Sequence, residues 1–461
     1  MKDRLEKDSL GEVKVPAHAY WGAQTQRAVE NFPVSGRTLP PEMVWAMATI
    51  KKAAATVHAE LGLLDSGAAE AVKQSADEVI KGQHDEHFVV DIYQAGAGTS
   101  FNMNVNEVIA NLAEEKLGGR RGEYKLVSPN DHVNMAQSTN DTVPTAIRLA
   151  CLKVSPGLND ALEALAEAFA ERAEKFKEVV TTGRTHLQDA VPITLGQEFG
   201  GWAHTITRAA RRLKTTFNRA GVLGIGGSAA GTGLNTHPEY VGRMVGCLRK
   251  LTGFDLSSDT NLFSAMSSMD VFVDISAGMR TAAVEILRIS NDLRLLASGP
   301  TSGLNEIQLP ALQPGSSIMP GKVNPVIPEM TAMVCFQIIG NDGTVTLAAQ
   351  AGQLQLNVMM PVIAYNLLES ARILTNATGL LAEKCVRAIQ ANTERCREYF
   401  EKSLGTATVL NPIIGYLNTA EVVKESMRTG RSLKELILER KILTPEELEH
   451  ALDPERITRQ T

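Results

Sequence analysis

Leu158-Asn-Asp-Ala-Leu-Glu-Ala-Leu-Ala-Glu-Ala-Phe-Ala-Glu-Arg-Ala-Glu-Lys-Phe-Lys-Glu-Val-Val180 carries the clearest structural signal in the chain. Its apolar members Leu158, Leu162, Leu165, Phe169, Ala173, Phe176 and Val180 recur at steps of three and four, while Glu163, Glu167, Glu171 and Glu174 fall off that stripe. A 3.6-residue period of this kind predicts a helix with one buried face. Outward from it, proline is absent between Pro238 and Pro300, between Pro328 and Pro361, and between Pro361 and Pro412. Those gaps leave room for helices of about 30 residues, roughly 45 Å long. Asn261 to Ala297 and Met330 to Met359 carry few charges and many Ala, Ser, Met and Val residues. Helices apolar on most faces belong inside a bundle, with their methionines filling the core.

Strand signals are confined to the Pro/Gly-punctuated region Gly11 to Phe32, and alternating βαβ units are absent, which excludes a parallel α/β sheet. Near the C-terminus Asn411-Pro412 breaks the chain, and Thr444-Pro-Glu-Glu447 opens a last helix with a capping box and proline at its first position. The expected fold is all-α: a mostly helical N-terminal region over 1–140, a long-helix bundle over 141–390, and a small helical C-terminal region over 391–461.

A chain of 461 residues with 44% hydrophobic and 21% charged residues buries a large core without metal or disulfide support. Its charge, 46 − 52 = −6, argues against nucleic acid or anionic membrane as a general partner. The cysteines (Cys151, Cys247, Cys335, Cys385, Cys396) are scattered and never form CxxC, so they read as reduced, buried thiols. The charged start Met1-Lys-Asp-Arg lacks an apolar signal core, and the longest apolar candidate, Val358 to Leu368, is too short to span a membrane. A cytoplasmic location follows as an expectation.

Four segments rich in small polar residues interrupt the helical pattern: Gly96 to Asn104, Ser128 to Asp141, Gly183 to Asp189, and Gly315 to Pro325. Such loops carry function disproportionately. The last, Gly315-Ser-Ser-Ile-Met-Pro-Gly-Lys-Val-Asn-Pro325, offers hydroxyls, backbone N–H groups and one ammonium to an anion. It is no P-loop, because five residues separate Gly315 from Gly321 and Val323 follows the lysine. Gly224-Ile-Gly-Gly-Ser-Ala-Ala-Gly231 lacks the dinucleotide spacing and reads as close backbone packing or a loop. His186 stands in a polar loop and is a functional candidate, whereas His58, His204 and His450 read as solvated or structurally satisfied. His84 and His87 have no third ligand at a usual spacing, so neither metal nor cofactor is expected. Asp141 reads as a helix cap. Many hydroxyl and amide donors, one lysine and one histidine suit a small dicarboxylate processed by proton transfer.

The Gly315–Pro325 loop resembles the signature of the fumarase/aspartase superfamily, and Gly98-Thr99, Ser138-Thr-Asn140 and Thr185-His186 match its other motifs in order. The resemblance runs from about Gly11 to the C-terminus. It implies an all-α homotetramer built on a twenty-helix core, with each active site assembled from loops of three subunits. It implies elimination from a succinate-like skeleton to fumarate through an aci-carboxylate dianion. By that resemblance Ser316 is the base, and Lys322, Asn324 and Ser317 grip a carboxylate. Gly98, Thr99, Ser138, Thr139, Asn140 and Thr185 hold the other substrate groups. His186, oriented by Glu329, sits near the leaving group or carboxylate. Ser128 to Asp131 falls where fumarases carry a second anion site.

Hydratases of the superfamily read GSGTQ, SSND, GNF and PTQ where this chain has Gly96-Ala-Gly-Thr-Ser100, Ser138-Thr-Asn-Asp141, Gly352-Gln-Leu354 and Pro325-Val-Ile327. Those four departures favour an aspartate ammonia-lyase. Met360, which replaces a frequent acidic residue of aspartases, and the fumarase-like Tyr20-Trp-Gly-Ala-Gln-Thr-Gln26 and Gly201-Trp202 favour the hydratase. A structural protein on the same scaffold, as in lens crystallins, is disfavoured by the intact Ser316, Lys322, Asn324 and His186.

Overall fold

The computed structural model describes residues 3–458; Met1 and Lys2 of the charged N-terminal stretch lie outside it. The chain opens with an antiparallel pair, β1 (Asp3–Asp8) and β2 (Gly11–Pro16), then α1 (Ala23–Asn31), α2 (Pro41–Glu60), α3 (Ser66–Ile80) and α4 (Thr99–Lys116). The 37-residue α5 (Thr139–Lys175) leads into a hairpin, β3 (Val180–Thr185) and β4 (Gln188–Thr194), and then α6 (Leu195–Asn218). After α7 (Tyr240–Thr252) come α8 (Leu262–Ser267), α9 (Asp270–Leu296), α10 (Val326–Gln350) and α11 (Met360–Lys384). Short helices α12 (Thr393–Lys402), α13 (Ala407–Ile414), α14 (Tyr416–Thr429), α15 (Leu433–Glu439), α16 (Pro445–Ala451) and α17 (Pro454–Ile457) make up the C-terminal region. The fold is all-α with only two-stranded sheets among the described residues. No helix among them is long and apolar enough to cross a membrane.

Two compact units emerge. One comprises residues 1–159, 211–283 and 336–374; the other comprises 160–210, 284–335 and 375–461. In the first, α2 packs on α3 and α7 and buries Met43, Met47 and Ile50 completely. In the second, the stripe that began at Leu158 meets α6 through aromatic edges: Phe176 lies 5.3 Å from Phe199, and Phe169 lies 5.7 Å from Trp202. Edge-on and tilted rings add roughly 1 kcal/mol per pair to the area they bury.

Several expectations need correction. The stripe overshoots, because α5 stops at Lys175 and Val180 starts β3; the β-branched run Val179-Val-Thr-Thr182 disfavours continuing the helix. That hairpin was not anticipated, and within Gly11 to Phe32 only β2 is extended while residues 23–31 are helical. Asn261 to Ala297 is two helices, separated where Ser268 turns to extended ψ. Met330 to Met359 is one helix ending at Gln350. There the Asn357 amide donates to the carbonyls of Ala348 (2.9 Å) and Ala349 (3.0 Å), capping the C-terminus. Pro412 does not break the chain; it lies inside α13, which ends at Gly415 with φ +83°. Met266, Met269 and Met279 are core, as expected, but Met333 on α10 is 68% exposed. His204 and His450 are exposed, whereas His58 is neither solvated nor hydrogen-bonded. It stacks on Tyr240 at 5.0 Å, and burial pushes its pKa down to about 4. Cys247 is only half-buried; burial of the other four thiols pushes their pKa up to about 12.

The helix opened by Thr444 forms as its sequence reads, although it is not the last, since one helical turn, Pro454–Ile457, follows it. Thr444 Oγ1 accepts from Glu447 N and the Glu447 carboxylate accepts from Thr444 N. Leu448 from that helix joins Leu410, Val422, Leu436 and Ile437 in one small core. Thr444→Ala removes one side of the box, at a cost of about 1 kcal/mol. Hydrogen exchange is expected to accelerate roughly fivefold at amides 446–451 while α5 and α9 are unaffected; uniform acceleration, or none, contradicts this.

Candidate functional site

In the first unit two helix N-termini carry two of the four motif segments. The turn before α4 runs through Ala97 (φ +61°) and Gly98 (φ +84°), and Ala97 N donates to Val358 O at 2.7 Å. A side chain at position 98 would press on Val143, 3.2 Å away, so glycine brings this turn against α5. Thr99 is exposed at the first helical position. Ser138 precedes α5; its N–H donates to Asp141 Oδ1 (3.0 Å) and its hydroxyl accepts from Asn140 N (3.2 Å). The Asn102 amide on α4 donates to Thr139 Oγ1 on α5 (3.3 Å), which ties the two helix starts together. Aligned N–H groups and dipoles at such starts favour an anion.

Asp141, read from the sequence as a helix cap, is instead the third residue of α5: Ser138 occupies the cap position, and its N–H donates to the Asp141 carboxylate. Its second oxygen accepts from Gly226 N (2.9 Å) and Ser228 N (3.1 Å) in the glycine-rich loop. Asn140 reaches the same loop through a 2.8 Å bond to Ala229 O. The loop is thus the close backbone packing its composition suggested, with Gly227 leaving no space for a Cβ beside Met266. Asp141 is fully buried, and that burial pushes its pKa up to about 6 against three backbone donors and the charge of Lys51.

In the second unit the hairpin presents Thr185 and His186 at an exposed tip. His186 (φ +56°) and Leu187 (φ +59°) form its two-residue turn, a left-handed pair that side chains adopt only at a cost of about 1 kcal/mol each. The base of the hairpin is pinned. Arg184 pairs with the buried carboxylate of Glu306 at 2.7 Å, and the Thr181 hydroxyl also bonds that carboxylate.

The Gly315–Pro325 loop closes on itself. Gly315 N donates to Lys322 O (2.8 Å), and the Asn324 amide donates to Gly315 O (2.8 Å). A Cβ at Gly315 would stand 2.5 Å from Lys322 O, so glycine alone permits the closure. Ser316 Oγ accepts from Ile318 N (3.2 Å) and Met319 N (3.1 Å). Ser317 and Lys322 are exposed, and Glu329 lies in the first turn of α10.

The predicted residues therefore form four built loops. The structure brings Gly98 and Thr99 together with Ser138, Thr139 and Asn140. Among the described residues no hydrogen bond joins His186 to Glu329. Of two clefts of about 440 and 300 Å³, the smaller is lined in part by His132 and Met135 of the 128–141 segment and the larger by Gly352 and Leu354, and neither lining includes a predicted substrate-binding or catalytic residue. What the sequence reading missed is the support beneath the loops: Lys51, Asn102 and the second half of Asp141's bonding. The signal was present for Lys51, since it stands four residues after Met47 and eight after Met43 on the buried stripe of α2.

A family model described as "Lyase" matches residues 11–340, and one described as "Fumarase C C-terminus" matches residues 407–459. The chain belongs to this lyase family, the fumarase/aspartase superfamily. It is 47% identical over 455 residues to an aspartate ammonia-lyase of Bacillus sp, covering 99% of this chain and 97% of that enzyme. It is 48% identical over 456 residues to a class II fumarate hydratase of Xylella fastidiosa, covering 99% and 95%. The crystal structure of fumarate lyase:delta crystallin from Brucella melitensis bound to cobalt superimposes with a TM-score of 0.97 at 48% identity over 100% of both chains.

Because the Asp141 pKa is raised on folding, the native state binds this proton before the unfolded chain does. Its contribution to stability is full below about pH 4 and is lost as pH rises through about 6. Urea unfolding of wild type and Asp141→Asn is expected to show wild type gaining on the variant by about 1 kcal/mol per unit as pH falls from 6 to 4. A pH-independent difference contradicts a raised pKa.

Proposed function

We propose that this lyase converts L-aspartate reversibly to fumarate and ammonia, with Ser316 as the base. The observation that carries the reading is the pair of backbone N–H groups held on Ser316 Oγ. Hydrogen bonds to a developing alkoxide lower the cost of forming it, and the Lys322 ammonium in the same loop adds positive potential. The base takes the proton from the carbon next to one carboxylate, and the electron pair passes into that carboxylate as an aci-dianion. Ammonia then leaves from the neighbouring carbon. Lys322, Asn324 and Ser317 stabilise the dianion, the step that supplies most of the rate. Gly98, Thr99, Ser138, Thr139, Asn140 and Thr185 hold the second carboxylate and the amino group, and His186 faces the leaving group.

The site is completed in a homotetramer, each copy lending loops to its neighbours. Supporting this, α10 exposes Met333 (68%), Phe336 (60%) and Leu347 (68%), an apolar surface out of place in a lone chain. The His186–Glu329 pair then forms between copies. The alternative substrate, L-malate, is favoured by the fumarase-like Tyr20–Gln26 segment and by the 48% identity to a class II fumarate hydratase.

Fumarate absorbance followed with L-aspartate and separately with L-malate decides between them. Aspartate turnover is expected; turnover of malate alone overturns the assignment. Ser316→Ala is expected to lose at least about 10³-fold in kcat with the tetramer and substrate binding retained. Near-normal activity removes serine from the base role. Sedimentation of the active enzyme is expected at the tetramer mass, and an active monomer contradicts shared sites.

A further inference from the structure

Lys51 is fully buried in the middle of α2, yet no carboxylate touches it. Its three ammonium protons meet three neutral amide oxygens: Asn102 Oδ1 at 2.8 Å, Gln137 Oε1 at 2.9 Å and Asn134 Oδ1 at 3.0 Å. An ammonium has no acceptor, so each of these amides is forced to turn its oxygen inward and its NH₂ away. The consequences can be traced bond by bond. Asn102 Nδ2 donates to Asn134 Oδ1 and to Thr139 Oγ1, both at 3.3 Å. Gln137 Nε2 donates to the carbonyls of Val133 (3.0 Å) and Met135 (3.2 Å), and Asn134 Nδ2 donates to Gln137 O (3.3 Å). The whole turn 133–139 is thereby wired to a single charge.

Thr139 is where this wiring meets the candidate site. Its oxygen accepts from Asn102, and among the described residues no acceptor is recorded for its own proton. A hydroxyl whose lone pair is occupied from behind turns its O–H forward. With Asn102 flipped, Oδ1 would face Thr139, and the hydroxyl would donate inward instead. Asp141, the nearest counter-charge, is occupied by the backbone N–H groups of Ser138, Gly226 and Ser228, so the lysine charge is not cancelled within hydrogen-bond range. Burial pushes the Lys51 pKa down to about 7 against the opposing charge of Asp141, and the three amide oxygens turned onto its nitrogen favour the ammonium form.

We propose that Lys51 is a positioning residue for the dicarboxylate site: by fixing the Asn102 amide it sets Thr139 as an outward hydrogen-bond donor to the substrate. The inference rests on the reading of residues 138–140 as substrate-binding. It assigns the charge a role at a distance of two hydrogen bonds, without contact to the substrate.

The test is a double-mutant cycle on the full-length enzyme, using whichever of L-aspartate or L-malate wild type turns over. Lys51→Met is expected to raise KM about tenfold, the worth of one hydrogen bond, with a smaller change in kcat. In a Thr139→Val background the same substitution is expected to raise KM less than twofold further, because the donor it orients is gone. Asn102→Asp guards against a variant that fails to fold. It keeps the shape and the Lys51 contact but replaces the donor with an acceptor, so KM should rise about tenfold with the melting temperature held or raised. KM within twofold of wild type in folded Lys51→Met or in Asn102→Asp overturns the proposal, as does an equal factor with and without Thr139. Wild type inactive on both diacids overturns the functional reading and this inference together, whereas an active wild type with no coupling overturns this inference alone.

Discussion

An irregular segment displayed on a helical bundle must still pair its buried N–H groups, and where neighbouring backbone does not serve, buried carboxylates do. This constraint governs the chain. Glu107 on α4 accepts from Gly22 N, Gln24 N and Thr25 N at the start of α1. Glu114 accepts from Lys125 N, Leu126 N and Val127 N, Asp141 holds the 226–228 turn, and Glu306 anchors the β3–β4 hairpin. Burying an acid is costly unless several donors meet it, and each of these acids meets two or more. The return is rigidity where rigidity matters: the loops that carry the motifs are clamped from behind and exposed in front.

That arrangement suits the proposed chemistry. Abstracting a proton next to a carboxylate places new charge on oxygen, and donors that are already aimed lose nothing to reorganisation when the charge arrives. The N-termini of α4 and α5, joined through Asn102 and Thr139, and the self-closed loop at Ser316 are both of this kind. They lie in different compact units, while the apolar residues on α10 stand uncovered. The proposed sharing of the site among copies would cover those α10 residues and bring the loops to one substrate.

Much of the fold was legible because its signals are local and periodic. The stripe from Leu158 to Ala173 is helical, and Thr444 and Glu447 cap a helix as their spacing demands. Where the reading failed, a nonlocal term prevailed. Val180 continues the helical stripe by spacing, but its strand is set by pairing with Thr194. Proline at position 412 reads as a breaker, yet α13 packs Leu410 into the C-terminal core around it. The motif loops could be found because small polar residues interrupt apolar helices. Their supports could not, because Lys51 and Asn102 lie 51 residues apart and look like ordinary helix positions until the bundle joins them.

The account stands on loops of separate copies meeting one four-carbon diacid. A crystal structure of the assembled enzyme with an unreactive succinate-type diacid tests it most directly. The diacid is predicted to lie within hydrogen-bond distance of Thr99 and Ser138–Asn140 from one copy, Thr185 and His186 from a second, and Ser316, Lys322 and Asn324 from a third. A diacid bound away from the 315–325 loop, or enclosed by residues of a single copy, contradicts it.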